Sequence, residues 1–293
     1  MSRKQLQAGA LTFGRRAPVV RFLATGAGLT LAAWGLGFVV TRIGATATGE
    51  FSLDLFLARH RSVALSEFAL LIDVLLGVSV APIVLVSVAA LVAKLWHWFA
   101  GVLVVVVTGG GWVAGAFGKI LVHRSRPPGG VLQALVSETG MDSYPSGHTA
   151  FAAGLLASAV LIAYIYGRSA LRTAVAGLPG LLVVGMSRMY LGVHYMADVL
   201  GSCLVAAAST LLLIGTYNAG WRLLRGSSKP VPSSVESVGQ AAGDHGTATV
   251  DNDRGGPGEV AEGSPHPAAV ELPSGQVATL MNMLKGQDAD SGR

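Results

Sequence analysis

Three short segments hold most of the residues in this chain that are equipped for chemistry. They are Lys119 to Pro127, Pro145-Ser146-Gly147-His148, and Ser187-Arg188 with His194 and Asp198 following. Lys119, Arg126 and Arg188 offer fixed positive charge and N–H donors, which suit a phosphate or another compact anion. Pro145-Ser146-Gly147-His148 directly precedes an apolar run, so Ser146 takes the N-cap position of a helix and Gly147 admits close backbone approach by a ligand. A helix start of this kind presents unpaired N–H groups and a partial positive charge to an anion. His148 beside it is placed to give a proton to a leaving oxygen. His194 and Asp198 are four residues apart and share a face if a helix begins there. A carboxylate on one imidazole nitrogen fixes the tautomer and leaves the other nitrogen as a nucleophile. Each piece alone has an ordinary alternative: snorkelling cations, a plain helix cap, a structural histidine. Together they describe an anion site with a nucleophile and an acid.

The spacing also constrains the elements that carry these residues. Lys119 and Arg126 are two helical turns apart and would share a face of a continuing helix. Pro127 disfavours helix at Arg126, which places that side chain at a helix end or in the loop. Arg188 is six residues before His194, off-face in a straight helix, so a break between them is required, and Gly192 is its expected place.

The surrounding chain avoids charge. Of its 293 residues, 52% are hydrophobic and 13% charged, about half the charged share of a soluble domain. The expected fold is an all-α polytopic membrane helix bundle of about six transmembrane helices, over residues 22–40, 68–92, 99–122, 149–166, 174–186 and 196–217. A secretory signal peptide competes for the first run, but that run exceeds the usual ~7–15 residues of a signal core, and a retained helix is expected. Residues 42–66 read as a loop with a short interfacial helix. Asp73 and Pro82 interrupt the second run; Asp73 is either a functional intramembrane carboxylate or, the favoured reading, an interfacial residue near the start of its helix. The aromatic turn at 94–98 fits a membrane surface. Gly109-Gly110-Gly111 permits close contact or a bend in the third run, and Pro179 should bend the fifth.

Charge distribution orients the bundle. Residues 1–221 hold 15 Lys/Arg against 7 Asp/Glu, whereas 222–293 hold 6 against 9. With six spans, one side collects 11 Lys/Arg and the other 7, which places both termini in the cytoplasm of a multi-pass cell-membrane protein and the three clusters on the extracytoplasmic face. The expected division is a cytoplasmic segment 1–21, a membrane domain 22–221 and a disordered cytoplasmic tail 222–293, whose Gly-, Ser-, Pro- and acid-rich composition cannot support a core. Val277, Leu280, Met281 and Leu284 are at helical spacing near its end. No long basic stripe with interleaved aromatics argues for nucleic acid. Cys203 is the single cysteine and excludes an intrachain disulfide.

In order, the segments have the form K-x6-R-P, P-S-G-H and S-R-x5-H-x3-D. This resembles the type 2 phosphatidic acid phosphatase superfamily, the membrane lipid phosphate phosphatases, over about 80 residues directly and roughly 18–221 by layout. The resemblance implies that His194 attacks phosphorus and forms a phosphohistidine, that Asp198 orients His194, and that His148 protonates the leaving group. It implies that Lys119, Arg126 and Arg188 hold the phosphoryl oxygens, with Ser146 and Gly147 adding a hydroxyl and backbone donors. No cofactor and no metal is expected, since Glu138 and Asp142 are too few for a two-metal cluster, so activity should survive chelators. The implied partners are a membrane lipid phosphate and the bilayer; oligomeric state is not legible. Phosphatidic acid, phosphatidylglycerol phosphate and polyprenyl diphosphates all fit the motif, the last two being favoured for a compact bacterial-type member. A lipid-linked phosphotransferase, a vanadate-dependent oxidase and a non-catalytic lipid-binding or transport protein are the alternatives.

Overall fold

The computed structural model describes residues 18–226 except Thr139. The N-terminal basic cluster up to Arg16, most of the tail and the apolar spacing at 277–284 lie outside the described residues. Among those described, the regular elements are helices: α1 (Val19–Ile43), α2 (Glu50–Arg59), α3 (Val63–Leu76), α4 (Ala81–Leu95), α5 (Trp98–Val122), a single turn α6 (Gly129–Leu132), α7 (Gly147–Ile165), α8 (Ala170–Tyr190) and α9 (Met196–Gly226). Five of them, α1, α5, α7, α8 and α9, are long and apolar enough to cross a bilayer. The pair α3 and α4 passes the same test only jointly, bent by 76°. Counted as one broken span, it brings the total to six, and the chain is a multi-pass membrane helix bundle.

The bend corrects the expectation of one helix over 68–92. Gly77 follows Leu76 in extended conformation, its N–H reaching the Val74 carbonyl at 3.4 Å. Pro82 then sits in the first turn of α4, where its missing N–H has no intrahelical partner to lose and its fixed φ suits a new helix. Pro179 does not interrupt α8, and α5 runs unbroken through Gly109-Gly110-Gly111.

α9 packs along α1, while α5 lies against α4, α7 and α9, and α7 against α8. Ala81, Leu85, Ala89, Ala100, Val104, Phe151 and Ile162 form one buried cluster. Its small residues let backbones approach, the usual route to packing between helices in lipid. Large apolar side chains such as Val20, Leu31, Ile83, Phe117 and Val175 face outward, a loss in water but the natural contact with hydrocarbon. At one end of the bundle Trp96 meets Tyr166 edge-on at 5.3 Å, and Arg168 lies over the Trp96 ring at 5.2 Å, an arrangement suited to the headgroup region.

At the other end the C-termini of α5 and α8 meet the N-termini of α7 and α9. Arg61, in the turn between α2 and α3, binds this end together: it donates to the carbonyls of Tyr190 at 3.0 Å, Leu132 at 2.9 Å and Gln133 at 2.6 Å. These carbonyls end α8 and α6 and have no partner within their own helices. Gly118 of α5 lets the loop seat closely, since a Cβ there would lie 2.7 Å from Cδ of Pro145.

Candidate active site

The local breaks foreseen from the three segments are present. α5 ends at Val122, so Arg126 projects from the loop after it and not from a helical face shared with Lys119. The two cations nevertheless converge, because both reach Asp142. Lys119 Nζ donates to the Asp142 carbonyl at 2.6 Å and lies 3.4 Å from Oδ2; Arg126 grips the carboxylate with Nε at 2.8 Å and a terminal nitrogen at 3.2 Å. α8 ends at Tyr190, and Gly192 then takes φ +81°, a left-handed value natural to glycine. This turn lets Arg188 and His194 face one another's neighbourhood.

Glu138 completes the bridge: one oxygen pairs with Arg126 and the other accepts from Arg188 at 2.8 Å. The second Arg188 terminal nitrogen pairs with Asp73 of α3. Asp73 therefore belongs to the site and is near the end of its helix, not near the start as expected. His148 Nε2 lies 3.1 Å from the Asp73 carbonyl and 3.4 Å from Oδ1. The three cations are thus matched by three carboxylates, Asp73, Glu138 and Asp142.

His194 is almost wholly buried. It lies just ahead of α9 and not within it, yet the four-residue spacing still serves: Nδ1 is 3.4 Å from Oδ2 of Asp198. Nε2 turns the other way and lies 3.4 Å from an Arg126 terminal nitrogen. Burial, with the positive charges of Arg188 and Arg126, pushes the imidazole down to about 4, although Asp198 pulls in the opposite direction. The ring is then neutral at pH 7, the form a nitrogen nucleophile requires. Asp198 is held on every side. Oδ2 accepts from Ser143 Oγ at 2.5 Å and from the Tyr195 N–H at 2.9 Å, while Oδ1 accepts from Arg124 at 2.7 Å. In the Tyr195 contact the Asp198 carboxylate reaches back to the backbone N–H just ahead of α9, one half of a capping box.

Ser146 occupies the N-cap position of α7, but its hydroxyl makes no capping bond. It accepts from Thr149 Oγ1 at 3.1 Å and is fully buried. The Ser146 N–H donates to the Asp198 carbonyl at 3.2 Å, tying the start of α7 to the start of α9. Gly147, not Ser146, is on the wall of the cavity. That cavity, about 510 Å³, is lined at its polar end by Lys119, Arg126, Glu138, Asp142, Gly147, His148 and His194. Its other end is apolar, formed by Leu76, Val78, Trp112, Val113 and Ala116. Val78 and Val113 are largely exposed on the outer face of the bundle.

The loop carboxylates are both acidified. Hydrogen bonds from Arg126, with Lys119 adding, take Asp142 down to about 2 against the effect of burial. Burial alone would raise Glu138, but Arg188 and Arg126 outweigh it and hold it below the usual range. Sequence reasoning gave these two no role beyond excluding a metal cluster, and it passed over Glu50 and Arg124. Arg124 had a visible signal, a third cation inside the Lys119–Pro127 segment; Glu50 had none. No group of His, Cys, Asp and Glu among the described residues is arranged to hold a metal ion.

Residues 99–222 match the family model of the PAP2 superfamily, the family that the three motifs resemble. Among solved structures the fold is similar to that of a transmembrane PAP2-type phosphatidylglycerolphosphate phosphatase from Bacillus subtilis, with a TM-score of 0.53 and 23% identity, over 71% of this chain and 98% of that one. No curated protein matches the sequence. The architecture is therefore that of a membrane PAP2 protein.

Proposed function

We propose that this PAP2-fold chain is an integral membrane phosphatase that hydrolyses a lipid phosphate or isoprenoid diphosphate through a phosphohistidine on His194. The observation that carries this reading is the division of labour at His194: Nδ1 faces Asp198 while Nε2 faces the cation cluster across the cavity. The Nε2 lone pair forms the N–P bond as the P–O bond to the leaving group breaks, and His148 supplies the proton to the departing oxygen. Water then attacks phosphorus, the N–P bond breaks, and His148 takes the proton from that water. The balance is one phosphate ester and one water to one alcohol and one phosphate. Lys119 and Arg126, on the cavity wall, stabilise charge on the phosphoryl oxygens, and Arg188, fully buried and off that wall, adds its positive charge from behind Glu138, with N–H groups at the start of α7 assisting near Gly147. Ser146 contributes by fixing that helix start. No step uses a metal.

An apolar chain attached to the phosphate has a place to go, since the cavity grades from the charged end to Leu76, Val78 and Val113 at the lipid face. The Bacillus protein's activity on phosphatidylglycerol phosphate makes that lipid a first substrate to try, beside phosphatidic acid and a polyprenyl diphosphate. Purified protein in mixed micelles should release phosphate from at least one of them, keep its rate in excess chelator, and be inhibited by vanadate. Complete loss in chelator with recovery on adding one divalent ion would overturn the metal-free scheme. Phosphate appearing on an added acceptor alcohol instead of free in solution would make the chain a phosphotransferase.

The catalytic unit in this reading is the membrane domain 22–221, with 1–21 and 222–293 as cytoplasmic flanks and the site on the extracytoplasmic side. The larger count of Lys/Arg on the terminal side supports this. A reporter fused after Arg225 should be active only in the form that works in the cytoplasm; activity of a periplasm-dependent reporter there would invert the topology.

A further inference from the structure

α2 carries two buried acids, Glu50 and Asp54, in an element too short to span a membrane. Glu50 is the first residue of the helix and is only 8% exposed. Its Oε2 accepts from an Arg124 terminal nitrogen at 2.5 Å and from Thr48 Oγ1 at 2.8 Å; its Oε1 accepts from the Ala197 N–H at 2.7 Å. Arg124, in the loop after α5, is 3% exposed, and its guanidinium lies over the Tyr195 ring at 4.4 Å from the centroid. Its other terminal nitrogen reaches Oδ1 of Asp198 at 2.7 Å. One carboxylate in α2 thus holds both the guanidinium that grips Asp198 and the first turn of the helix that carries Asp198.

We propose that Glu50 and Arg124 are positioning residues for phosphoryl transfer: by occupying Oδ1 of Asp198 they leave Oδ2 to orient the imidazole of His194. The inference rests on the reading of His194 as the nucleophile. The geometry argues for positioning and against substrate binding, because neither residue lines the cavity. It also argues against a generic surface pair, since both side chains are buried and the guanidinium satisfies two carboxylates while stacking on an aromatic face. Lysine has one nitrogen and no plane and cannot reproduce that arrangement. Glu50 lies outside the segment that matches the family model, residues 99–222. The N-terminal third of the chain therefore supplies part of the support of the reacting histidine.

The test compares Glu50→Gln, Arg124→Lys and their combination with the wild type, each as the full chain in mixed micelles. Partners that orient a metal-ligating histidine cost ~10–100-fold when removed; the same hold on a nucleophilic histidine is expected to matter as much, so kcat should fall by about that factor in both single variants. KM and the vanadate inhibition constant should stay within about threefold, because the anion pocket is untouched. The double variant should be no slower than the slower single, as expected for two residues acting as one unit. Glu50→Gln preserves size and a carbonyl for the Ala197 N–H, so it carries the test even where Arg124→Lys fails to fold.

A second readout needs no substrate. In protein with 15N-labelled histidine, His194 should give the Nδ1–H tautomer in the wild type and a tautomer mixture in Glu50→Gln. An unchanged kcat in folded Glu50→Gln, an unchanged tautomer, or a KM and vanadate constant that worsen in step with kcat would each overturn the proposal. A wild type that turns over no substrate, beside a tautomer shift in Glu50→Gln, would overturn the phosphatase reading and leave of this proposal only that Glu50 and Arg124 orient His194.

Discussion

Replacing His194 by alanine is expected to abolish phosphate release, by about 10⁴-fold or more, because removal of a covalent nucleophile leaves only pocket binding and charge stabilisation. Vanadate should still bind, since Lys119, Arg126 and Arg188 remain. The intermediate gives a sharper criterion. A nitrogen–phosphorus bond survives alkali and is broken by acid, so wild-type protein quenched in alkali during turnover of a labelled substrate should carry label, and His194→Ala should carry none. His148→Ala should behave differently. Its loss should slow release from alkyl phosphates ~10²–10⁴-fold, the usual worth of a positioned proton donor, but cost far less in the first step with p-nitrophenyl phosphate, whose leaving group needs no proton. Turnover of a lipid phosphate by His194→Ala at the wild-type rate would remove the mechanism. The wild type should also keep an unprotonated nucleophile well into acid, since burial brings His194 to about 4; the activity it supports is present above that pH and lost as pH falls through it.

The second large effect concerns stability and falls on Asp54. Its carboxyl is 1% exposed, and among the described residues neither oxygen has a hydrogen-bond partner. Burial, then repulsion from Asp198 and Glu50, raise it from 3.8 to about 8, with Arg124 offsetting only part. The folded protein therefore holds a proton that the unfolded chain releases once pH passes 3.8. Stability is fully present below that value, declines as pH rises toward about 8, and levels off beyond. At pH 7 the cost is on the order of 4 kcal/mol, from roughly three pH units at about 1.4 kcal/mol each. Asp54→Asn keeps the size and removes the ionisation, so its thermal midpoint should lie clearly above the wild type at pH 7 to 8, with the gap closing by pH 4. Equal midpoints at pH 7.5 would show that Asp54 finds a partner or water in the membrane-bound protein.

The residues proposed to react are legible because charge is costly in an apolar chain and collects where function holds it. The His194–Asp198 interval, Pro127 after Arg126 and Gly192 after Arg188 each translated into local geometry the structure bears out. The supports were not legible in the same way. Glu50 and Arg124 are 74 residues apart, as are Arg124 and Asp198, and Asp73 is 115 from Arg188. Such pairs are made by packing between helices, which hydrophobic periodicity does not encode. The place of Asp73 along its helix differs for a related reason: a single helix over 68–92 puts it near the start, and the break at Gly77 and Pro82 puts it near the end of α3. Ser146 shows the converse, a residue in its expected position whose hydroxyl serves Thr149 and not the helix start.

The pairing of Lys119, Arg126 and Arg188 with Asp73, Glu138 and Asp142 bears on how any anion enters. The pocket carries its own counterions, so a phosphoryl group gains the N–H groups of Arg126 and Lys119 only as Glu138 and Asp142 give them up. Entry is an exchange of one anion for another, not an addition to bare charge. The same carboxylates stand ready to return when the anion leaves, which keeps Lys119, Arg126 and Arg188, carried by the ends of α5 and α8 and the loop after α5, from repelling one another.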